Sequence, residues 1–547
     1  MDHEKINIEQ SGRTGRTVKI GNVLLWILIV FAPVIAGWII GLVSGTDPLR
    51  LDAWNTTWND ENGYFRVIRT MRHYGVPQGM TGFNEIISGN VPFGPYNLFT
   101  YIPYYLLSFL TGCSSHNYIY LCNIILAVLA NLVLVALVRP GKRDAVLLAA
   151  FFLTQLIAAR YTWSGMAEAS YHFYIVVFMG LVIWYLKKPD AAGWKKGAAL
   201  AGMVALTFFF GVMRPYFAAL FLIPLYLLIF RHPRIGEIRR FILSLLILAV
   251  MFGTVILMYF FMGYIAEYFE IAPAVRLTEI IRTGQVRGIL FSMVRINLDS
   301  VRSAVDLVKE YRWAGGVAFL FYFEWLLLLV LWIHALAARK KDGSAAVCFL
   351  LLAAGAMIYE ATILLYKAYQ LHRMLLAITI AYTLFLIAFG RVLPWINAAA
   401  VIALVGLYLM MMPSAFALPQ INEASISGTQ LAAYKKELTG LLPYRKLDEE
   451  NPVFGTPASL DPYWENTVAK VTEDAHIQTS FVLPDYLSLN ICTDKYMRQS
   501  IASGSFSSRY VMVREDSELD EMCRKKYLLL WKDIGHCIYD CRKAPAE

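Results

Sequence analysis

Two adjacent carboxylates, Asp60 and Glu61, stand in the stretch Trp58-Asn59-Asp60-Glu61-Asn62-Gly63-Tyr64-Phe65, directly ahead of a segment with helical character, 63–74. Such a pair has two compatible uses. Acidic groups at a helix start cap its free N–H groups and meet the positive end of its dipole. A carboxylate held there also accepts a proton from an acceptor hydroxyl, the work of a general base. Further along, Arg160, Arg214, Lys367, His372 and Arg373 each fall at the end of an apolar segment, and residues 366–373 gather three basic groups and two tyrosines. Cations so placed either snorkel to lipid headgroups or meet the charge of an anionic ligand at the membrane surface, with Arg373 and Lys367 the foremost candidates for the second role. Glu324 lies inside the apolar run Phe321-Tyr322-Phe323-Glu324-Trp325. An ionisable group there is expensive and marks a site expectation by default, protonated or paired to a neighbouring helix. Glu168, Glu360 and Tyr64 are candidates to line the same cavity.

The elements that must position these groups are set by composition. Of 547 residues, 58% are hydrophobic and 16% charged, against about 25% charged in soluble domains. A soluble globular protein is excluded on that ground, and disorder by 14% aromatic residues. A bilayer core takes about 20 apolar residues per helix, which places spans near 23–43, 117–138, 145–159, 171–186, 197–212, 217–230, 241–262, 314–337, 344–358, 374–389 and 394–415, about 11 in all. With the leader 1–22 cytoplasmic, the cytoplasmic segments carry 19 Lys and Arg in 58 residues and the opposite segments before 416 carry 15 in about 150. That bias sets an N-terminus inside and the C-terminal part, 416–547, outside. The formal charge of +9 therefore orients helices in a cell membrane and requires no nucleic-acid partner. Residues 96–110, with Pro103 and several tyrosines, read as an interfacial or re-entrant helix.

The expected fold class is an all-α polytopic membrane domain over 23–415, with outer loops 44–116 and 263–313, followed by a small extracytoplasmic α/β or α+β domain. In the latter, 509–514 read as a strand, 517–527 as a helix and 528–541 as a closing hairpin. Broken helices and paired halves, the marks of a simple transporter, are not expected. In the second outer loop Ile289, Met293, Ile296 and Val301 run beside Arg295 and Arg302, the pattern of a helix lying on the membrane surface or covering a lipid-linked substrate. Four cysteines, Cys492, Cys523, Cys537 and Cys541, fall in the outer domain, an even number that admits two bridges.

Asp60-Glu61-x-x-Tyr64-Phe65, placed soon after the first span, resembles the Asp-Glu signature of multi-spanning GT-C glycosyltransferases such as the aminoarabinose transferases and protein O-mannosyltransferases. The likeness continues through Arg66 to Pro77 and through Phe93-Gly94-Pro95-Tyr96, where relatives often carry a Lys-Pro-Pro-like segment; it covers roughly residues 20–140. It implies a membrane transferase that takes a sugar from a polyprenyl-phosphate donor to a glycan, lipid or protein acceptor outside the membrane, with inversion. It further implies Asp60 as general base and Glu61 as its neighbour that orients the acceptor or binds a donor group. The second outer loop has no Asp-x-Asp pair, which favours a metal-free reaction without cofactors. Two other classes remain open on the sequence: a transporter or flippase for a lipid-linked glycan, which releases no polyprenyl phosphate, and a non-catalytic assembly subunit, for which Asp60 is dispensable. A glycan polymerase differs from the leading reading mainly in its acceptor.

Overall fold

The computed structural model describes residues 20–44, 64, 68, 71–72, 79–81, 89–91, 97–112, 117–166, 168–231, 236–266, 286–309, 313–339, 343–366, 371–390, 394–410, 428–445, 465–471, 482–484 and 486–545. The apolar segments fold as helices. In chain order these are α1 (Ile20–Ser44), α2 (Asn97–Thr111), α3 (Asn117–Val138), α4 (Lys142–Thr154), α5 (Leu156–Thr162), α6 (Ala169–Lys187) and α7 (Gly193–Met213), then α8 (Leu222–Tyr226), α9 (Glu237–Ala266), α10 (Val286–Lys309), α11 (Trp313–Ala337), α12 (Ser344–Tyr366), α13 (Leu371–Phe389) and α14 (Pro394–Met410). Helical residues are described within the expected segments, through residue 410 in the last of them. Among the described residues, five stretches are long and apolar enough to cross a bilayer: Gly21–Val43, Tyr118–Val138, Ala169–Lys187, Val317–Ala337 and Ser344–Ile363. The chain is an integral membrane protein.

Two of the expected spans are broken, contrary to the sequence reading. The segment 145–159 divides at Gln155, whose ψ of 68° interrupts the helix between α4 and α5. Its N–H still donates to the Phe151 carbonyl and its own carbonyl accepts from Ala159, so the kink sacrifices little bonding and leaves no proline or glycine signal. The segment 217–230 is a 3-10 turn (Pro215–Phe221), the short α8, and a π turn (Leu227–Arg231). Pro224 within α8 removes an N–H donor, a physical reason for the change of helix type that follows it.

Local chemistry explains how α1 is seated. Pro33 lies inside it and cannot donate to the Ile29 carbonyl; the Asn131 side-chain amide of α3 takes that place at 2.9 Å. The Pro33 carbonyl accepts from the Trp163 indole at 3.0 Å. Gly37, one turn on, lets that indole lie against the helix, since a Cβ there would stand 2.0 Å from the ring.

The segments expected on the cytoplasmic side meet at one end of the bundle. Trp26 Nε1 donates to the Pro140 carbonyl at 2.9 Å, Asp144 pairs with Lys187 at 3.7 Å, and Lys187 Nζ lies 5.8 Å from the Phe389 ring centroid. The segments expected outside meet at the other end, described below.

The C-terminal region carries α15 (Gly428–Leu441), β3 (Thr467–Val471), β4 (Ser488–Cys492), α16 (Asp494–Ser503), β5 (Tyr510–Arg514), α17 (Glu518–Arg524), β6 (Leu528–Asp533) and β7 (His536–Asp540). The two short strands of the first loop, β1 (Gly79–Thr81) and β2 (Gly89–Val91), form an antiparallel pair of their own. The larger sheet runs β4-β3-β5-β7-β6. Its first three strands are parallel and the last two close as an antiparallel hairpin, so the expected strand, helix and hairpin are all present in a mixed α/β sheet. Ser517 caps α17 by accepting from the Asp520 N–H, and Ile534-Gly535, both with positive φ, supply the hairpin turn. The strand Gly79–Thr81 lies against β4, the sheet's edge, which ties the first loop to the C-terminal region. Cys523 and Cys537 carry free thiols, so the two bridges admitted by the even number of cysteines in this region are not formed here.

Candidate functional site

The turn behind the acidic pair is helical at residues 64, 68, 71 and 72, as the sequence pattern requires. Asp60 and Glu61 themselves lie outside the described residues. Tyr64, four residues on from Asp60, is buried and its hydroxyl donates to Glu168 Oε1 at 3.1 Å. Its ring lies 6.1 Å from that of Tyr101 on α2. Two turns later Arg72 reaches Ser108 Oγ at 3.4 Å and stands 4.2 Å above the Phe109 ring. The turn is therefore laid along α2 and fastened to the start of α6.

Glu168 is positioned by the segment that precedes it. On α3, Asn123 Nδ2 donates to the carbonyls of Ser164 (2.8 Å) and Met166 (3.2 Å), while its Oδ1 accepts from Tyr104 of α2 at 2.7 Å. One amide thus joins α2, α3 and the α5–α6 connection. Arg214 owes its place to Pro215. A residue before proline is steered away from helical geometry, and Arg214 is extended with φ −147° and ψ 108°, which ends α7 and turns the side chain to Tyr171, whose Oη accepts from Nε at 3.3 Å. Tyr171 stands three residues after Glu168. Arg160, in the last turn of α5, is buried like Arg214. The result is a buried group of carboxylate, guanidinium, amide and phenol side chains at the end of the bundle where the expected outer segments meet.

The remaining sequence candidates divide differently. Glu324 is fully buried in α11 and accepts from Thr383 Oγ1 of α13, the pairing to a neighbouring helix that its cost demands. Glu360 of α12 accepts from Asn297 of α10 at 3.0 Å. Neither contact is part of the Tyr64–Glu168 group. His372 and Arg373 fall in the first turn of α13, and Lys367 lies outside the described residues.

Tyr104, Asn123 and Tyr171 were not singled out in the sequence. A polar residue in an otherwise apolar span is the signal that marks Asn123, and Asn131, two turns along the same helix, carries it too. Asn131, Gln155, Thr162 and His172 also line a cavity of about 40 Å³ beside Pro33, a mainly apolar recess at the break between α4 and α5. Among the described residues, no group of three or more His, Cys, Asp or Glu side chains is placed to hold a metal ion.

No protein-family model matches the sequence, and no curated protein matches it. The crystal structure of the Archaeoglobus fulgidus oligosaccharyltransferase in complex with zinc and sulfate is similar over 94% of this chain and 73% of the other, with TM-score 0.41 and 14% identity. The crystal structure of ArnT from Cupriavidus metallidurans bound to undecaprenyl phosphate is similar over 95% and 98%, with TM-score 0.45 and 13% identity. At this level of identity and similarity the likeness leaves the chemistry to be read from the residues.

Proposed function

We propose that this chain is an integral-membrane glycosyltransferase that moves a sugar from a polyprenyl-phosphate donor to an extracytoplasmic acceptor with inversion. The observation that carries the reading is the Tyr64–Glu168 bond at the start of α6, the helix whose Tyr171 accepts from the buried Arg214. It fastens the segment bearing the acidic pair to the helix that also meets a buried guanidinium. At about 3.3–3.6 Å per residue, Asp60 is within roughly 14 Å of Tyr64 whatever its conformation.

In this mechanism Asp60 takes the proton from the acceptor hydroxyl as its oxygen attacks the anomeric carbon. The bond from that carbon to the phosphate oxygen breaks on the opposite face, and polyprenyl phosphate leaves as the anion. Glu61 orients the acceptor. Arg214 and Arg160 stabilise the charge that develops on the phosphate, as do Arg373 and His372 of α13 and Lys367, four positions before that helix in sequence. The acceptor is a glycan, a lipid or a protein, and residues 416–547 form the outer domain next to it.

The broken helices at Gln155 and at Pro215–Arg231 favour a second reading, a flippase for a lipid-linked glycan, because discontinuous helices line many transport sites. The two part on one product. Purified protein in detergent, given a polyprenyl-phosphate sugar and candidate acceptors, releases polyprenyl phosphate if it is a transferase. Vesicle translocation of the intact donor with no released carrier would establish the flippase instead.

A further inference from the structure

Most of the wall around the break between α4 and α5 is apolar, yet Asn131 of α3, Gln155 at the break, Thr162 of α5 and His172 of α6 each bring a polar side chain to it. Two of these use their donors locally. Asn131 Nδ2 donates to the Ile29 carbonyl at 2.9 Å, and Thr162 Oγ1 to the Ala158 carbonyl at 2.8 Å. The other two do not. Gln155 is 2% and His172 3% exposed, and among the described residues Gln155 Oε1 and Nε2 and His172 Nδ1 and Nε2 have no hydrogen-bond partner. Buried polar atoms in native proteins are nearly always bonded to protein or to ordered water, because leaving them unbonded in apolar surroundings is costly.

We infer that this recess is a buried hydration site, in which ordered water bridges the Gln155 amide and the His172 imidazole. Three observations carry this. The bonding capacities match: the amide offers N–H donors and an acceptor oxygen, a neutral imidazole one donor and one acceptor, and water both gives and receives. The space is sufficient, since about 40 Å³ exceeds the roughly 10–15 Å³ that one water requires, and a buried water typically makes about three bonds. The helix also breaks at Gln155, with ψ 68°, where neither proline nor glycine stands, and a water inserted into the helical ladder is one of the few causes of such a break. The bridging water holds the angle between α4 and α5, and α5 carries Arg160 in its last turn. Gln155 and His172 take no part in the transfer reading, so the inference stands apart from it.

Two measurements on the full-length protein in lipid nanodiscs test it. A structure at a resolution that shows ordered water elsewhere in the bundle should show water density about 2.7–3.2 Å from both side chains. Thermal unfolding of Gln155→Leu, His172→Phe and the double variant supplies the second. If water bridges the pair, each single change leaves the water and the remaining side chain short of partners, and each lowers Tm. The double variant removes the whole polar group and should lose less than the sum of the two. In a dry recess each change removes an unpartnered polar group, so single variants more stable than wild type would overturn the inference. Single losses that add in the double variant would overturn the bridge. So would a structure in which Gln155 and His172 bond directly to each other or to other protein groups, or in which no density lies between them. Should a variant fail to fold, the density in the wild-type structure decides alone.

Discussion

Tyr64→Phe removes a single hydroxyl and keeps the ring against Tyr101. What it removes is the donation to Glu168, a buried carboxylate. A hydrogen bond to such a group contributes about 1.5–3 kcal/mol, and a buried acceptor deprived of its donor adds to the loss. Since about 1.4 kcal/mol is tenfold in an equilibrium, the held state of the turn becomes about 10- to 150-fold less favoured against its released states. On the proposed transfer reading Tyr64 is a positioning residue, acting through the acidic pair just ahead of it in sequence. Its loss should then lower kcat by about tenfold or more, and change the donor KM, which that reading assigns to Arg214 and Arg160, far less. Glu168→Gln keeps an acceptor oxygen and a neutral bond of about 0.5–1.5 kcal/mol, so it should fall between wild type and Tyr64→Phe. The double variant should be no worse than Tyr64→Phe alone, because both changes act on one contact. The assay is steady-state release of polyprenyl phosphate, with thermal unfolding of the same samples. A Tyr64→Phe protein with wild-type kcat and wild-type Tm would refute the reasoning. An activity loss matched wholly by unfolding would reduce the bond to a structural one.

Three further outcomes follow from the fold. Gly37→Ala puts a Cβ 2.0 Å from the Trp163 indole and should cost about 1–3 kcal/mol by overpacking, seen as a lower Tm and partly relieved by Trp163→Phe; an unchanged Tm would contradict the close packing of α1 on α5. Glu324→Ala should destabilise the bundle by about 2–4 kcal/mol through a cavity and a lost partner for Thr383, while Glu324→Gln stays near wild type in detergent unfolding; equal losses would show that the hydrogen bond is not what matters there. Burial opposes ionisation of Asp520, but hydrogen bonds from Tyr539, the Asp516 N–H and Arg524 outweigh it and hold the carboxyl below its usual range. A depressed folded pKa stabilises the fold above the unfolded value of about 3.9, and that stability is lost as pH falls through the folded value. Trp531 fluorescence across acid titration should show this loss in wild type, and Asp520→Asn should be less stable at neutral pH with a flatter acid limb.

Much of the architecture was legible because a bilayer imposes strong periodic demands. The apolar runs, the helix with Pro103, the amphipathic α10 and the strand, helix and hairpin near the C-terminus all follow from composition and spacing. The breaks were not. Gln155 is an ordinary helical residue whose backbone bonds survive the kink, so no local signal marks it, and Pro224 announces a disturbance without saying that 3-10 and π turns will result. At the site, Glu168 and Arg214 were visible as charges at span ends, and Pro215 gave a reason for Arg214 to leave its helix. Their partners were not visible, since Tyr64 meets Glu168 across 104 positions of sequence and Asn123 joins three elements that no local pattern connects. The tie between the strand Gly79–Thr81 and β4 is of the same kind, a pairing decided by tertiary structure.

The central claim is that Asp60 is the base of a sugar transfer. Asp60→Asn keeps the shape and the capping ability of the side chain and removes its basicity. The account predicts protein that inserts, folds and unfolds as wild type does, binds the polyprenyl-phosphate sugar, and releases polyprenyl phosphate to an acceptor at least about 100-fold more slowly, the scale of a lost general base. Release near the wild-type rate by that variant would contradict it.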